Sequence, residues 1–187
     1  MTTNQHRIFL AINLPDIIKK RLSEFRKEWF DLPIRLTKID DLHIALFFIG
    51  HVNTEEIIEI CKLAKKAISK ENVFEIKLNK ICFGPSDDKP RMIWVTGEIN
   101  KKLNCLKNSL EVNLFNPNVN MGDRNKSFHP HVTLAKIKQK EWGELSDSPS
   151  VEKDISLSFL VDSIEIMESS LSKKGPEYTV LETIQLK

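Results

Sequence analysis

Cysteine is sparse in this chain: three residues in 187, Cys61, Cys82 and Cys105, odd in number and never close together. That excludes a disulfide framework and a cysteine-based zinc site, and leaves the reduced thiols expected of a cytoplasmic protein. Long hydrophobic runs are missing as well. No stretch approaches the roughly 18–20 apolar residues that cross a bilayer, so no membrane association is expected. The start, Met1 to His6, is polar, and the short apolar stretch Ile8 to Leu14 leads into Pro15-Asp16 without a small-residue cleavage site, which argues against a signal peptide. There is no low-complexity segment and no regular βαβ rhythm. Histidine too is scarce, with five in the chain, so the placement of each one carries information.

The bulk composition is that of an ordered globular protein: 41% hydrophobic and 29% charged residues rule out a disordered chain. The net charge of +2 is small but unevenly spread. Residues 101–140 hold eight basic side chains against Glu111 and Asp123, a local +6, whereas 141–187 hold four basic against ten acidic, a local −6. The basic stretch is either solvated surface or a region that attracts a polyanion.

Periodicity predicts an α+β fold. Arg7 to Asn13 alternates as a strand, with Ile8, Leu10 and Ile12 on one face and Arg7, Phe9 and Ala11 on the other. Pro15 opens a helix whose Ile18, Leu22, Phe25 and Trp29 form one buried stripe. A short strand over Ile34 to Lys38 precedes a strand from His43 to Gly50. Asn53-Thr54-Glu55-Glu56 has the form of a capped helix start, with Ile57, Ile60, Cys61, Ala64 and Ile68 as its buried stripe. Strands are expected over Val73 to Phe83 and Arg91 to Thr96, then a helix capped by Asn100 that carries Leu103, Leu106, Leu110 and Leu114. After the second histidine strand and a polar connector over 140–153, Ile155 to Ser169 and Tyr178 to Leu186 are expected as the last two strands.

Two of the five histidines stand in matched tetrapeptides 88 positions apart: His43-Ile44-Ala45-Leu46 and His131-Val132-Thr133-Leu134. Side chains alternate faces along a strand, so each imidazole lies opposite the aliphatic residues that anchor its strand to the helices behind. Ala45 and Thr133 share the faces of the histidines. Two imidazoles on one cleft supply the acid and the base of a proton-transfer mechanism. The Thr133 hydroxyl can donate to an anionic oxygen. Strict alternation places Lys136 on the helix-packed face with Val132.

These segments resemble the paired His-x-Thr/Ser-x motifs of the 2H phosphoesterase superfamily, and within it the bacterial and archaeal RNA 2′,3′-cyclic phosphodiesterases, also called 2′-5′ RNA ligases. The likeness covers most of the chain. It includes Arg7 to Ile12, Leu42 to Gly50, Pro90-Arg91 and Phe128-His129-Pro130-His131-Val132-Thr133-Leu134-Ala135. The chain departs from the pattern at Ala45, which holds the hydroxyl position of the first motif, and at Lys136, where the family usually has arginine.

The resemblance implies one bilobal unit over 1–187, with two pseudo-symmetric lobes of antiparallel sheet, helices on their outer faces and the active-site cleft between the sheets. It implies hydrolysis of RNA or nucleotide 2′,3′-cyclic phosphate ends to 2′-phosphomonoesters without metal or cofactor, with reversible 2′-5′ ligation as a related activity; a monomer is expected because no exposed heptad or long apolar patch is recognisable in the sequence. His43 becomes the proton donor and His131 the acceptor. Thr133 holds a phosphate oxygen with help from the Arg7 guanidinium, whose fork suits such an anion. Phe9 is placed to stack on a base or to fill the core, Arg91 to reach phosphate or cap a sheet edge, and Arg124 to grip an RNA backbone or remain in a solvated loop. A competing reading is an RNA-binding or regulatory module on the same scaffold, catalytically weak because Ala45 replaces the first hydroxyl.

Overall fold

The structure, a computed structural model, describes residues 5–114, 128–146, 149–172 and 175–187. Strand β1 (His6–Asn13) is followed by helix α1 (Asp16–Phe25), which continues as a 3-10 turn to Trp29, and by the short β2 (Ile34–Leu36). Then come β3 (His43–Val52), α2 (Thr54–Ile68), β4 (Phe74–Gly84), β5 (Met92–Gly97), α3 (Lys101–Asn113), β6 (His131–Ile137) and α4 (Gln139–Gly143). The chain closes with β7 (Lys153–Val161), β8 (Ser163–Ser172) and β9 (Gly175–Gln185).

The expected helix signals operate as read. The Asn53 side chain accepts from the Glu56 N–H while the Glu56 carboxylate accepts from the Asn53 N–H, a reciprocal capping box contributing about 1 kcal/mol to α2. Asn100 likewise accepts from the Leu103 N–H at the start of α3. The apolar stripes of α1, α2 and α3 enter one continuous core together with Ile8, Ile44, Leu46, Val132 and Leu134.

All strand pairings are antiparallel and form two sheets, one ordered β3-β1-β8-β9 and the other β2-β6-β5-β4-β7. The architecture is therefore α+β, with the two histidine strands in different sheets. The expected single strand over Ile155 to Ser169 is instead two. The chain breaks pairing at Asp162, so that β7 joins β4 in one sheet and β8 joins β1 in the other. Apolar residues alternate on both sides of the break, at odd positions from Ile155 to Val161 and at even positions at Ile164 and Ile166, and reading them as one strand overlooks this change of phase at Asp162.

Both histidine strands carry a β-bulge at the same place. On β3, Ala11 pairs with Ala45 and Leu10 with Phe47, leaving Leu46 unpaired. On β6, Trp94 pairs with Thr133 and Ile93 with Ala135, leaving Leu134 unpaired. Each bulge inserts one residue and reverses the facing of the residues that follow, on β3 until a second shift at Ile49 restores it. The alternation that holds at 43/45 and 131/133 is thus inverted by 48 and 136.

Candidate active site

One cavity of about 500 Å³ lies between the sheets, lined by His43, Ala45 and Phe48 from β3, His131, Thr133 and Lys136 from β6, and side chains of β2, β5 and β9. The two imidazoles expected to converge do so. Lobe by lobe the matched positions are 43 and 131, 45 and 133, 48 and 136. One wall therefore presents Ala45 and Phe48, the other Thr133 and Lys136. The cavity has an apolar wall and a polar, cationic wall.

Each imidazole is held by the same device. His43 Nδ1 lies 2.7 Å from the Asp41 carbonyl oxygen, and His131 Nδ1 lies 3.2 Å from the His129 carbonyl oxygen. A carbonyl only accepts, so Nδ1 carries the proton and donates it. Nε2 of a neutral ring is left as the acceptor. Both rings therefore have Nε2 as the nitrogen that exchanges a proton with a substrate.

Their surroundings differ. The His43 ring centroid is 5.3 Å from that of Phe9 and 5.0 Å from that of Tyr178. Ala11 and Ala45, paired side by side, leave the space over which the Phe9 and His43 rings lean together. Burial in this aromatic setting pulls the His43 pKa below its ordinary value, against the opposing pull of the Asp41 carbonyl and carboxylate; Lys19 and the charge of His131 lower it further. His131 stacks at 4.2 Å on Trp94, whose indole N–H points to the Met92 sulfur. No room exists for a side chain beneath that indole: a Cβ on Gly84 would collide with the Trp94 ring. The Thr133 hydroxyl is 3.9 Å from the same Met92 sulfur, a weak partner that leaves it available to an anion.

Several expected site residues fall elsewhere. Phe9 is 1% exposed, enclosed by the rings of His43, Phe48 and Tyr178, so it supports His43 and offers no face to a base. Phe48, 52% exposed, does open into the cavity, together with Trp94, Phe128 and Tyr178. Arg7 stands on the cleft face of β1, but six residues from Asn13, the residue opposite His43. Its charge acts instead on Lys136 and Tyr178. Arg91 is exposed outside the cavity, its N–H donating to the Gly84 carbonyl and its carbonyl accepting from Ile137. Arg124 lies outside the described residues. Lys136, expected against the helices, lines the cavity because the Leu134 bulge turns it round. Trp94, Met92, Tyr178 and Arg35 are cavity residues that sequence reading passed over; each sits on a strand paired with, or facing, a histidine strand, a relation visible only in the sheet register.

Two imidazoles with Nδ1 committed to backbone carbonyls, a hydroxyl and nearby cations on one cavity can supply an acid and a base beside a bound anion. The chain is similar to known phosphoesterases. A profile described as LigT like Phosphoesterase matches residues 12–94. An RNA 2′,3′-cyclic phosphodiesterase of Aeropyrum pernix is 30% identical over 166 residues, covering 80% of this chain and 85% of the relative. Another, of Methanocaldococcus jannaschii, is 29% identical over 94% of this chain and 98% of its own. A crystal structure of a Thermus thermophilus protein superposes with a TM-score of 0.82 at 26% identity, covering 96% of this chain and 97% of that one. The chain belongs to the LigT-like 2H phosphoesterase family.

Proposed function

We propose that this chain hydrolyses RNA or nucleotide 2′,3′-cyclic phosphate ends to 2′-phosphomonoesters by acid–base catalysis between His43 and His131. The observation that carries this reading is the matched pair of imidazoles on one cavity, each with Nδ1 committed to a backbone carbonyl two residues back. With the cyclic phosphate between them, His131 Nε2 takes a proton from the attacking water. Phosphorus gains that oxygen, the bond to the ribose 3′-oxygen breaks, and His43 Nε2 protonates the departing oxygen. The product is a 2′-phosphomonoester with a free 3′-hydroxyl. The Thr133 hydroxyl donates to a non-bridging phosphate oxygen. With a 5′-hydroxyl in place of water the same exchange, His131 taking the proton and His43 giving one to the departing 3′-oxygen, forms a 2′-5′ linkage, and its reverse cleaves that linkage to the cyclic phosphate and the 5′-hydroxyl. The unit proposed for this activity is the bilobal chain as a whole.

The test is to incubate the protein, with EDTA present, with 2′,3′-cyclic mononucleotides and with an oligonucleotide ending in a cyclic phosphate, and to identify the phosphomonoester formed. The expected product is the 2′-phosphate, with a rate that chelation leaves unchanged. Binding of the oligonucleotide with turnover no faster than that of a variant lacking both histidines would favour the binding-module reading motivated by Ala45.

The pH profile follows from the geometry. The competent form has one proton shared between the two histidines, so kcat/KM rises through the lower of the two macroscopic pKa values and falls through the upper. Burial moves the folded-state pKa of His43 downward, so the doubly protonated, inactive form is reached only at pH values below the ordinary imidazole pKa of about 6.5. The acid limb of kcat/KM is therefore expected below that pH. An acid limb centred at or above it would contradict the desolvated setting of His43.

A further inference from the structure

Lys19 on α1 is 6% exposed, and its ammonium donates to the Asp40 carbonyl oxygen at 3.0 Å. Among the described residues it forms no ion pair, and it does not line the cavity. Moving an ammonium out of water onto a neutral acceptor is unfavourable. The one contact it makes falls on the turn that leads into β3.

In that turn the Asp41 N–H donates to the Lys38 carbonyl at 3.1 Å and the Leu42 N–H to the Ile39 carbonyl at 3.2 Å, both toward the long end of the normal range. Two successive carbonyls then point to side chains: that of Asp40 takes the Lys19 ammonium, and that of Asp41 takes His43 Nδ1. Peptide units are rigid planes that hinge only at Cα. These two share the Asp41 Cα, so holding one carbonyl restricts the direction of the other. The second lobe holds its matching carbonyl in another way. His129 is followed by Pro130, whose ring fixes its own φ, and the Pro130 carbonyl accepts from the Gly97 N–H at 2.9 Å. The first lobe has Leu42 where the second has Pro130, and no ring constrains its backbone.

We infer that Lys19 is a positioning residue for His43: by holding the Asp40 carbonyl it aims the neighbouring Asp41 carbonyl at Nδ1, which fixes the tautomer and leaves Nε2 for the substrate. Its effect on rate rests on the hydrolase reading above; its effect on the ring does not. The charges around His43 fit this role. Burial is the largest cause of its lowered pKa; Asp41 on its own turn opposes the shift, while Lys19 from α1 and His131 from the other sheet add to it. Tyr178 from β9 meets the ring edge-on. Lys19 thus both orients the ring and favours its neutral form.

The experiment reads the histidine tautomers directly, by 15N–1H correlation at about pH 8.5, where both rings are neutral. It compares the wild type with Lys19→Met, which keeps the length of the side chain and removes the donor, and with Lys19→Arg, which keeps charge and donor. In the wild type both rings are expected as the Nδ1–H form. In Lys19→Met, His43 is expected to become a mixture of tautomers while His131 is unchanged. Turnover of a 2′,3′-cyclic nucleotide should fall about tenfold in kcat, with KM within about threefold, the scale of a misaimed catalytic group. Lys19→Arg should restore the single tautomer. A His43 ring that stays wholly Nδ1–H in Lys19→Met, or an equal mixing at His131, overturns the assignment. Should Lys19→Met not fold, Lys19→Gln, too short to reach the Asp40 carbonyl, carries the same comparison with the same two outcomes. If no cyclic nucleotide is hydrolysed by the wild type, the hydrolase reading fails while the tautomers still decide the role of Lys19.

Discussion

Replacing His43 or His131 by alanine is expected to lower kcat on a 2′,3′-cyclic nucleotide by about 10²–10⁴-fold, the usual contribution of one positioned acid or base. The two groups act on one proton-transfer sequence, so the double variant should lose little more than the more damaged single one. The fold should survive. Among the described residues each ring makes one hydrogen bond, to a backbone carbonyl, and deletion leaves that acceptor near an open cavity where water can replace the donor. Binding of a nucleoside 2′-monophosphate, measured by calorimetry, is expected to fall far less than turnover. A rate within about threefold of wild type in either single variant would remove that histidine from the chemistry, because a positioned acid or base contributes far more.

The second large effect runs in the opposite direction. Ala45 is the lobe-matched position of Thr133, it lines the cavity, and it sits where the first motif of the family has a hydroxyl. Ala45→Thr restores a donor on the apolar wall, facing the phosphate from the side opposite Thr133. A β-branched residue suits the strand. One hydrogen bond to a charged oxygen, at roughly 1.5–3 kcal/mol, corresponds to about one to two orders of magnitude if it is made in the transition state. The expected result is a gain of about tenfold in kcat/KM. A value unchanged from wild type, with Tm preserved, would show that position 45 does not reach the phosphate, and the polar wall would then hold it alone.

The asymmetry between the walls bears on how the site works. Burial among aromatic rings lowers the His43 pKa and so favours its neutral form, whereas its proposed task is to donate a proton. An arriving phosphate supplies the opposite charge that raises its pKa, so substrate binding and proton uptake by His43 are coupled. The Asp41 carboxyl also lines this cavity, raised above the usual carboxylate range chiefly by burial. It is the one acidic group placed near the reacting end of the cleft, among the described residues that line it.

Much of this was legible in the chain. The helix caps at Asn53 and Asn100, the apolar stripes and the strand around each histidine depend on residues within a few positions of one another, and local periodicity records them. The same holds for the pairing of Ile44 and Leu46, or Val132 and Leu134, against the core, because alternation is a property of the strand itself. What alternation could not carry was its own interruption. The bulges at Leu46 and Leu134 arise from register against β1 and β5, and they alone turn Phe48 and Lys136 into the cavity. The burial of Phe9 under His43 and the distance of Arg7 from the reacting centre likewise come from strand pairing.

By itself, then, the sequence determined that this protein has two imidazoles on equivalent strands with a hydroxyl beside one of them. Tertiary structure decided which side chains surround that pair. Strand pairing brings residues from β2, β5 and β9 to the histidines across separations of up to 135 positions, as between His43 and Tyr178. Those contacts are set by sheet order and bulge placement, long-range properties that no window of neighbouring residues contains.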